Sequence, residues 1–90
     1  MYTPHATKRF KKDIELMRKN GKDMNKLISI MRDLVAGKIL PTQYKDHKLV
    51  GNYIRHRECH IEPDWLLIYR IEKPLIYFER TGTHSNLFKK

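Results

Sequence analysis

A single cysteine, Cys59, stands among the ninety residues, so no disulfide can form within the chain and a reducing compartment is expected. No apolar run approaches the roughly 18 residues that a membrane span requires, and no basic-then-apolar leader opens the sequence. There are no internal repeats and no low-complexity segments. Ser29 falls mid-helix and Ser85 lies near the end of the chain, neither within a recognisable nucleophile elbow. Acidic side chains are the scarce charged class, ten Asp and Glu against nineteen Lys and Arg, which leaves a formal net charge of +9. These absences describe a soluble, cytoplasmic chain folded as one domain over residues 1–90, with a core so small that each large apolar residue counts.

The excess of positive charge selects a class of partner. A small basic domain attracts polyanions, and nucleic acid is the commonest of these in the cytoplasm. A lysine-rich solvated surface, or one matched to an acidic protein, would carry the same charge.

Periodicity supplies the elements. From Thr7 a helical pattern starts, with Ala6, Phe10, Ile14 and Met17 at three- and four-residue steps and basic residues over much of the remainder. Asn20-Gly21 ends it, and Asp23 caps a second helix with Met24, Leu27, Ile28, Met31, Leu34 and Val35 as its apolar stripe, stopped by Gly37. Residues 1–4 are too short to assign, an edge strand and a frayed end being equally open, and 39–52, broken by Pro41 and Gly51, is expected to be loop. Strands are predicted over 53–61, 65–71 and 75–81, joined by turns at Glu62-Pro63-Asp64 and Glu72-Lys73-Pro74. Helices first and strands after give an α+β fold: an N-terminal helical hairpin packed on a three- or four-stranded antiparallel sheet.

Four candidate chemistries can be weighed. His56 and His60 are four apart, a metal-binding spacing on a helix, but four strand residues span roughly 13 Å at about 3.3 Å each, so no metal site or cofactor is expected. Cys59 falls on the probable core side of its strand with no activating neighbour. Alternation puts Glu58 and His60 together on the opposite, accessible face. Trp65, beside the Pro63 turn, is core, a stacking platform, or both. Acid–base chemistry on RNA suits the residues best, because RNA carries its own nucleophile in the 2′-hydroxyl. Such an enzyme needs only to move protons and stabilise a crowded anionic phosphate, and histidine titrates near 6.5 in the absence of perturbation. Arg57 and Arg80 could hold that phosphate electrostatically. Histidine is also commonly exposed for no functional reason, so its scatter alone decides nothing.

An ordered set of blocks resembles a known family. Tyr44-Lys45-Asp46-His47, the run from Arg57 through Glu58, His60 and Asp64 to Trp65 and Tyr69, and Glu79-Arg80-Thr81-Gly82-Thr83-His84 with Leu87-Phe88 are similar to the YafQ-like toxins of the RelE/ParE superfamily. The resemblance covers most of the chain from Asp23 onward. It implies a metal-independent endoribonuclease that cuts mRNA, usually on the ribosome, and inhibits translation. It also implies a RelE-like fold and control by an acidic antitoxin that wraps the toxin, with no membrane involved. Carried over by position, His47, His60, Asp64 and His84 form the catalytic set with Trp65 and Phe88 nearby. Glu58, Arg57 and Arg80 are added from their placement. His56 lies outside the family pattern. A gyrase-poisoning toxin on the same scaffold would need no histidine cluster, and a non-catalytic RNA-binding module would need only the charge.

Overall fold

The computed structural model describes residues 1–88. Strand β4 (Trp65–Glu72) occupies the centre of the sheet, as its run of consecutive apolar residues requires, and Trp65 through Tyr69 are all buried. β3 (Arg57–Glu62) and β5 (Leu75–Gly82) flank it in antiparallel register, with Cys59 opposite Leu67 and Thr81 also opposite Leu67. The sheet then extends one strand further on each side. β1 (Thr3–Ala6) lies beside β5 and β2 (His47–Lys48) beside β3, giving the order β1-β5-β4-β3-β2.

Five strands thus replace the expected three or four, and the sheet is mixed because β1 runs parallel to β5. Neither outer strand announces itself by alternation. Thr3, Pro4 and His5 are exposed, and Pro4 is tolerable only at an edge, where its missing N–H is not needed by a neighbour. β2 is two exposed residues inside the segment expected to be loop, which also contains 3-10 turns at Thr42–Tyr44 and Gly51–Tyr53. The first long strand begins at Arg57 rather than Tyr53, because Arg55 adopts φ 74°, a left-handed conformation that no strand accommodates.

Two helices cover one face. The Thr7 hydroxyl caps α1 (Lys8–Lys19) by accepting from the Phe10 N–H at 3.1 Å, and donates to the Glu79 carbonyl at 3.2 Å, fastening the helix start to β5. Gly21, at φ 79°, closes the C-terminal end, and the Asp23 carboxylate caps α2 (Met24–Val35) at 2.9 Å from the Asn25 N–H. Phe10 and Met17 from α1 join Leu27, Ile30 and Leu34 from α2 above Cys59, Leu67, Tyr69, Ile76 and Phe78. The stripe of α2 is rotated slightly from expectation: Ile30 is buried, whereas Ile28 is about half exposed.

The opposite sheet face carries a smaller cluster, Leu66, Ile68 and Leu87, with Leu49, Tyr53 and Phe88 packed around it. Among the described residues no long helix covers it. The short α3 (His84–Phe88) returns over it beside Leu49 and Tyr53, and is capped by Thr83, whose hydroxyl accepts from the Asn86 N–H at 3.1 Å. The partly open face is where polar groups can be held against an apolar floor.

Candidate active site

On β3 Glu58 and His60, opposite Ile68 and Leu66, point to the open face, and this alternation brings them together. The Glu58 carboxylate is buried to 7% exposure beneath two imidazoles. One Oε1 atom lies 3.4 Å from His47 Nε2 and 3.3 Å from His60 Nε2. His47 reaches it because β2 pairs His47 with Glu58. On its other side the His47 Nδ1–H donates to the Lys45 carbonyl at 2.6 Å. The 3-10 turn and two-residue strand that read as loop are therefore what aims this ring.

The second imidazole–carboxylate pair comes from two turns. Pro63-Asp64 closes the β3–β4 hairpin in two residues, so Glu62 faces Trp65. Asp64 Oδ1 then accepts from the His84 backbone N–H at 2.9 Å and lies 2.5 Å from His84 Nδ1. The backbone N–H of His84 and then its ring hold the Asp64 carboxyl below the ordinary aspartate range. The three rings form an arc, with centroids 6.3 Å apart from His47 to His60 and 5.8 Å from His60 to His84. Phe88 lies one helical turn after His84, 6.5 Å from its ring, and meets Tyr53 edge-on at 5.9 Å. The structure thus brings together His47, Glu58, His60, Asp64, His84 and Phe88.

A family model described as a bacterial toxin of type II toxin–antitoxin systems, YafQ, matches residues 2–89. The chain belongs to the YafQ toxin family. It is 49% identical over 80 residues to the mRNA interferase toxin YafQ of Escherichia coli K12, covering 88% of this chain and 87% of that protein. Its fold matches the crystal structure of YafQ from E. coli BL21(DE3) with a TM-score of 0.93 at 43% identity, over 98% of this chain and 99% of the other. It also matches YafQ in the E. coli DinJ–YafQ complex with a TM-score of 0.91 at 44% identity, again over 98% and 99%.

Three other expected residues are placed differently in this YafQ-family chain. Arg57 is an odd-numbered β3 residue and turns to the helix-covered side, where its Nε donates to Asp46 at 3.2 Å beside the Tyr69 hydroxyl. It does not reach the histidines. Trp65 has no exposed surface; its indole N–H donates to the Thr81 hydroxyl at 2.9 Å, which in turn donates to the Leu66 carbonyl at 2.7 Å. A stacking platform is excluded, and Trp65 instead anchors the end of the hairpin that carries Asp64. Arg80 does occupy the open face, opposite Ile68, which is itself opposite Glu58. Two strand spacings of about 4.8 Å separate it from that carboxylate.

Sequence reasoning missed Asp13. This α1 side chain accepts from Arg80 Nε at 2.7 Å and Nη2 at 3.3 Å, and from the Thr81 N–H at 3.1 Å. It fixes the guanidinium through Nε and Nη2. Burial, the nearby Asp46 and Glu58 carboxylates raise the Cys59 thiol far above its ordinary range, so it is no nucleophile. His56 sits apart from the arc, 3.4 Å from Glu79 and edge-on to Tyr53.

Proposed function

We propose that this chain is the toxin of a type II toxin–antitoxin pair and an endoribonuclease that cleaves mRNA by attack of a 2′-hydroxyl on the adjacent phosphate. The arc of three imidazoles, two of its members held by the buried Glu58 and the third by Asp64, is the observation that carries the reading. Imidazoles fixed a few ångströms apart over an apolar floor can bracket one phosphate. One takes the proton of the 2′-hydroxyl as its oxygen bonds to phosphorus. Another gives a proton to the 5′-oxygen as its bond to phosphorus breaks. The products are a 2′,3′-cyclic phosphate and a 5′-hydroxyl, and no water is consumed in this step. His84 engages Asp64 through Nδ1, so its Nε2 is the atom available for proton exchange. Arg80, aimed by Asp13, supplies fixed positive charge to the phosphorane.

The relatives support the substrate and the partner, since the K12 protein is named an mRNA interferase and an E. coli YafQ is solved in complex with DinJ. A net charge of +9 suits both RNA and an acidic antitoxin, and the site of action is the cytoplasm, where mRNA and reduced cysteine coexist. Among the described residues no helix is long and apolar enough to cross a membrane.

The deciding experiment is cleavage of a short RNA by purified protein. A 2′-deoxy substitution at the cut site should abolish cleavage and leave binding nearly intact, and a chelator should change nothing. His60→Ala and His84→Ala should each lower the rate by roughly 10² or more, with the double change less than multiplicative because the groups act as a unit. His5→Ala, on the exposed edge strand, is the control. Cleavage of the 2′-deoxy substrate, or full activity in His84→Ala, rules this mechanism out.

A further inference from the structure

β2 pairs only with Arg57 and Glu58, so beyond them the outer edge of β3 faces the 3-10 turn Thr42–Tyr44 across a cleft. Next to His60 this cleft is a cavity of about 200 Å³ between Gln43, Tyr44 and Lys45 on one side and His60, Ile61 and Pro63 on the other. It shares Gln43, Tyr44 and Ile61 with a second cavity of about 490 Å³ that ends on the polar side of α2 at Asn25 and Ser29. We propose that this cleft is a base subsite, seating the nucleobase that flanks the scissile phosphate. Tyr44 presents the flat surface and Gln43 the amide that reads the base edge. The proposal rests on the ribonuclease reading above and adds how the cut is chosen.

Charge decides between a base and a phosphate. The acidic groups of the cleft are already matched: Glu62 meets Lys22 at 3.3 Å and Lys26 at 3.0 Å, and Asp23 caps α2 through the Asn25 N–H. What the cleft offers is hydrogen-bonding groups and aromatic surface with little net field, which fits a neutral heterocycle. Lys45, exposed at the mouth, is the group placed for the sugar–phosphate chain. The wall is also rigid. Tyr44 is half-buried against the main core, and Lys45 closes the turn in a left-handed conformation at φ 49°, its N–H donating to the Thr42 carbonyl at 3.0 Å. The Lys45 carbonyl is the group that holds the His47 ring. A base seated against Tyr44 therefore lies on the same short turn that aims an imidazole of the arc, linking base choice to the geometry of proton transfer.

The test uses the full-length protein and a pool of short RNAs randomised around the cut, with product ends sequenced. Gln43→Ala removes an exposed amide. Tyr44→Leu keeps the apolar body that packs on the core and removes the stacking face, and its melting point is compared with that of the unaltered protein. Both variants should still leave 2′,3′-cyclic ends, while the base preference at one position flanking the cut flattens. In Tyr44→Leu, kcat/KM for the preferred sequence should fall about tenfold, the loss expected for one base stack. An unchanged preference in both variants, with cleavage intact, overturns the subsite alone. So does an unaltered protein with no base preference at either flanking position. Failure of the unaltered protein to cleave RNA, whether free or presented on ribosomes, overturns the ribonuclease reading and the subsite with it.

Discussion

Each imidazole of the arc has a carboxylate partner, and Arg80 has one as well. The Arg80 partner is the more informative, since Asp13 is separated from it by 67 positions and only the packing of α1 on β5 joins them. Both side chains are largely buried, at 12% and 14% exposure, so the pair is charge-assisted and poorly screened. Asp13→Asn keeps the shape and one acceptor but removes the charge and half the fork. We expect kcat/KM for RNA to fall about tenfold, equivalent to roughly 1.4 kcal/mol of transition-state stabilisation, while the affinity of uncleavable 2′-deoxy substrate changes little. Steady-state kinetics beside a binding titration check this; equal losses in both would make Asp13 a merely structural residue. His47, His60, Asp64, His84 and Phe88 were legible in the sequence because they fall in ordered blocks that resemble a family. Arg57 faces the core side that its own strand parity assigns to it, which its place in the block does not reveal, and Asp13 carries no local signal at all.

Among the elements, α3 bears His84 and Phe88 yet is only five residues long, too short to persist without tertiary support. Its support comes from the end of β5. Gly82 leaves room for it: a Cβ there would lie 3.0 Å from Asn86 Cβ and 3.3 Å from Leu87 Cδ2. Gly82→Ala should therefore push α3 outward. The expected cost in stability is about 1–3 kcal/mol, the usual range for overpacking, with a larger relative loss of RNA cleavage as His84 leaves Asp64. A melting curve and a rate measured on one preparation separate the two effects; full activity would mean that α3 accommodates the methyl without moving. The three long hairpin strands and both long helices were legible because their periods are strong and their caps are ordinary. β2 has no such signal, and for β1 the sequence leaves an edge strand and a frayed end equally open, since strands with mostly exposed side chains show no alternation and are specified by backbone pairing alone.

For the molecule as a whole, folding separates two tasks between the two faces of one sheet. The helix-covered face holds most of the buried apolar side chains, whereas the open face keeps a small apolar floor with histidines and carboxylates around it. Such a layout lets the arc be rigid without being sealed, and it leaves the rest of the surface to charge. Lys8, Arg9, Lys11 and Lys12 at the start of α1 are all exposed, and none of them belongs to the arc. If they and the other basic side chains bind RNA phosphates, counterions released from the strand should make affinity fall with salt. The log–log slope expected for single-stranded RNA is about −0.7 for each phosphate contacted. Converting Lys8, Lys11 and Lys12 to Gln should then flatten the slope and weaken binding uniformly across sequences, leaving base preference untouched. A slope unchanged by the triple substitution would place the RNA track elsewhere and leave this end of α1 to a protein partner. A flat response in the unaltered protein would remove electrostatics as the source of affinity altogether.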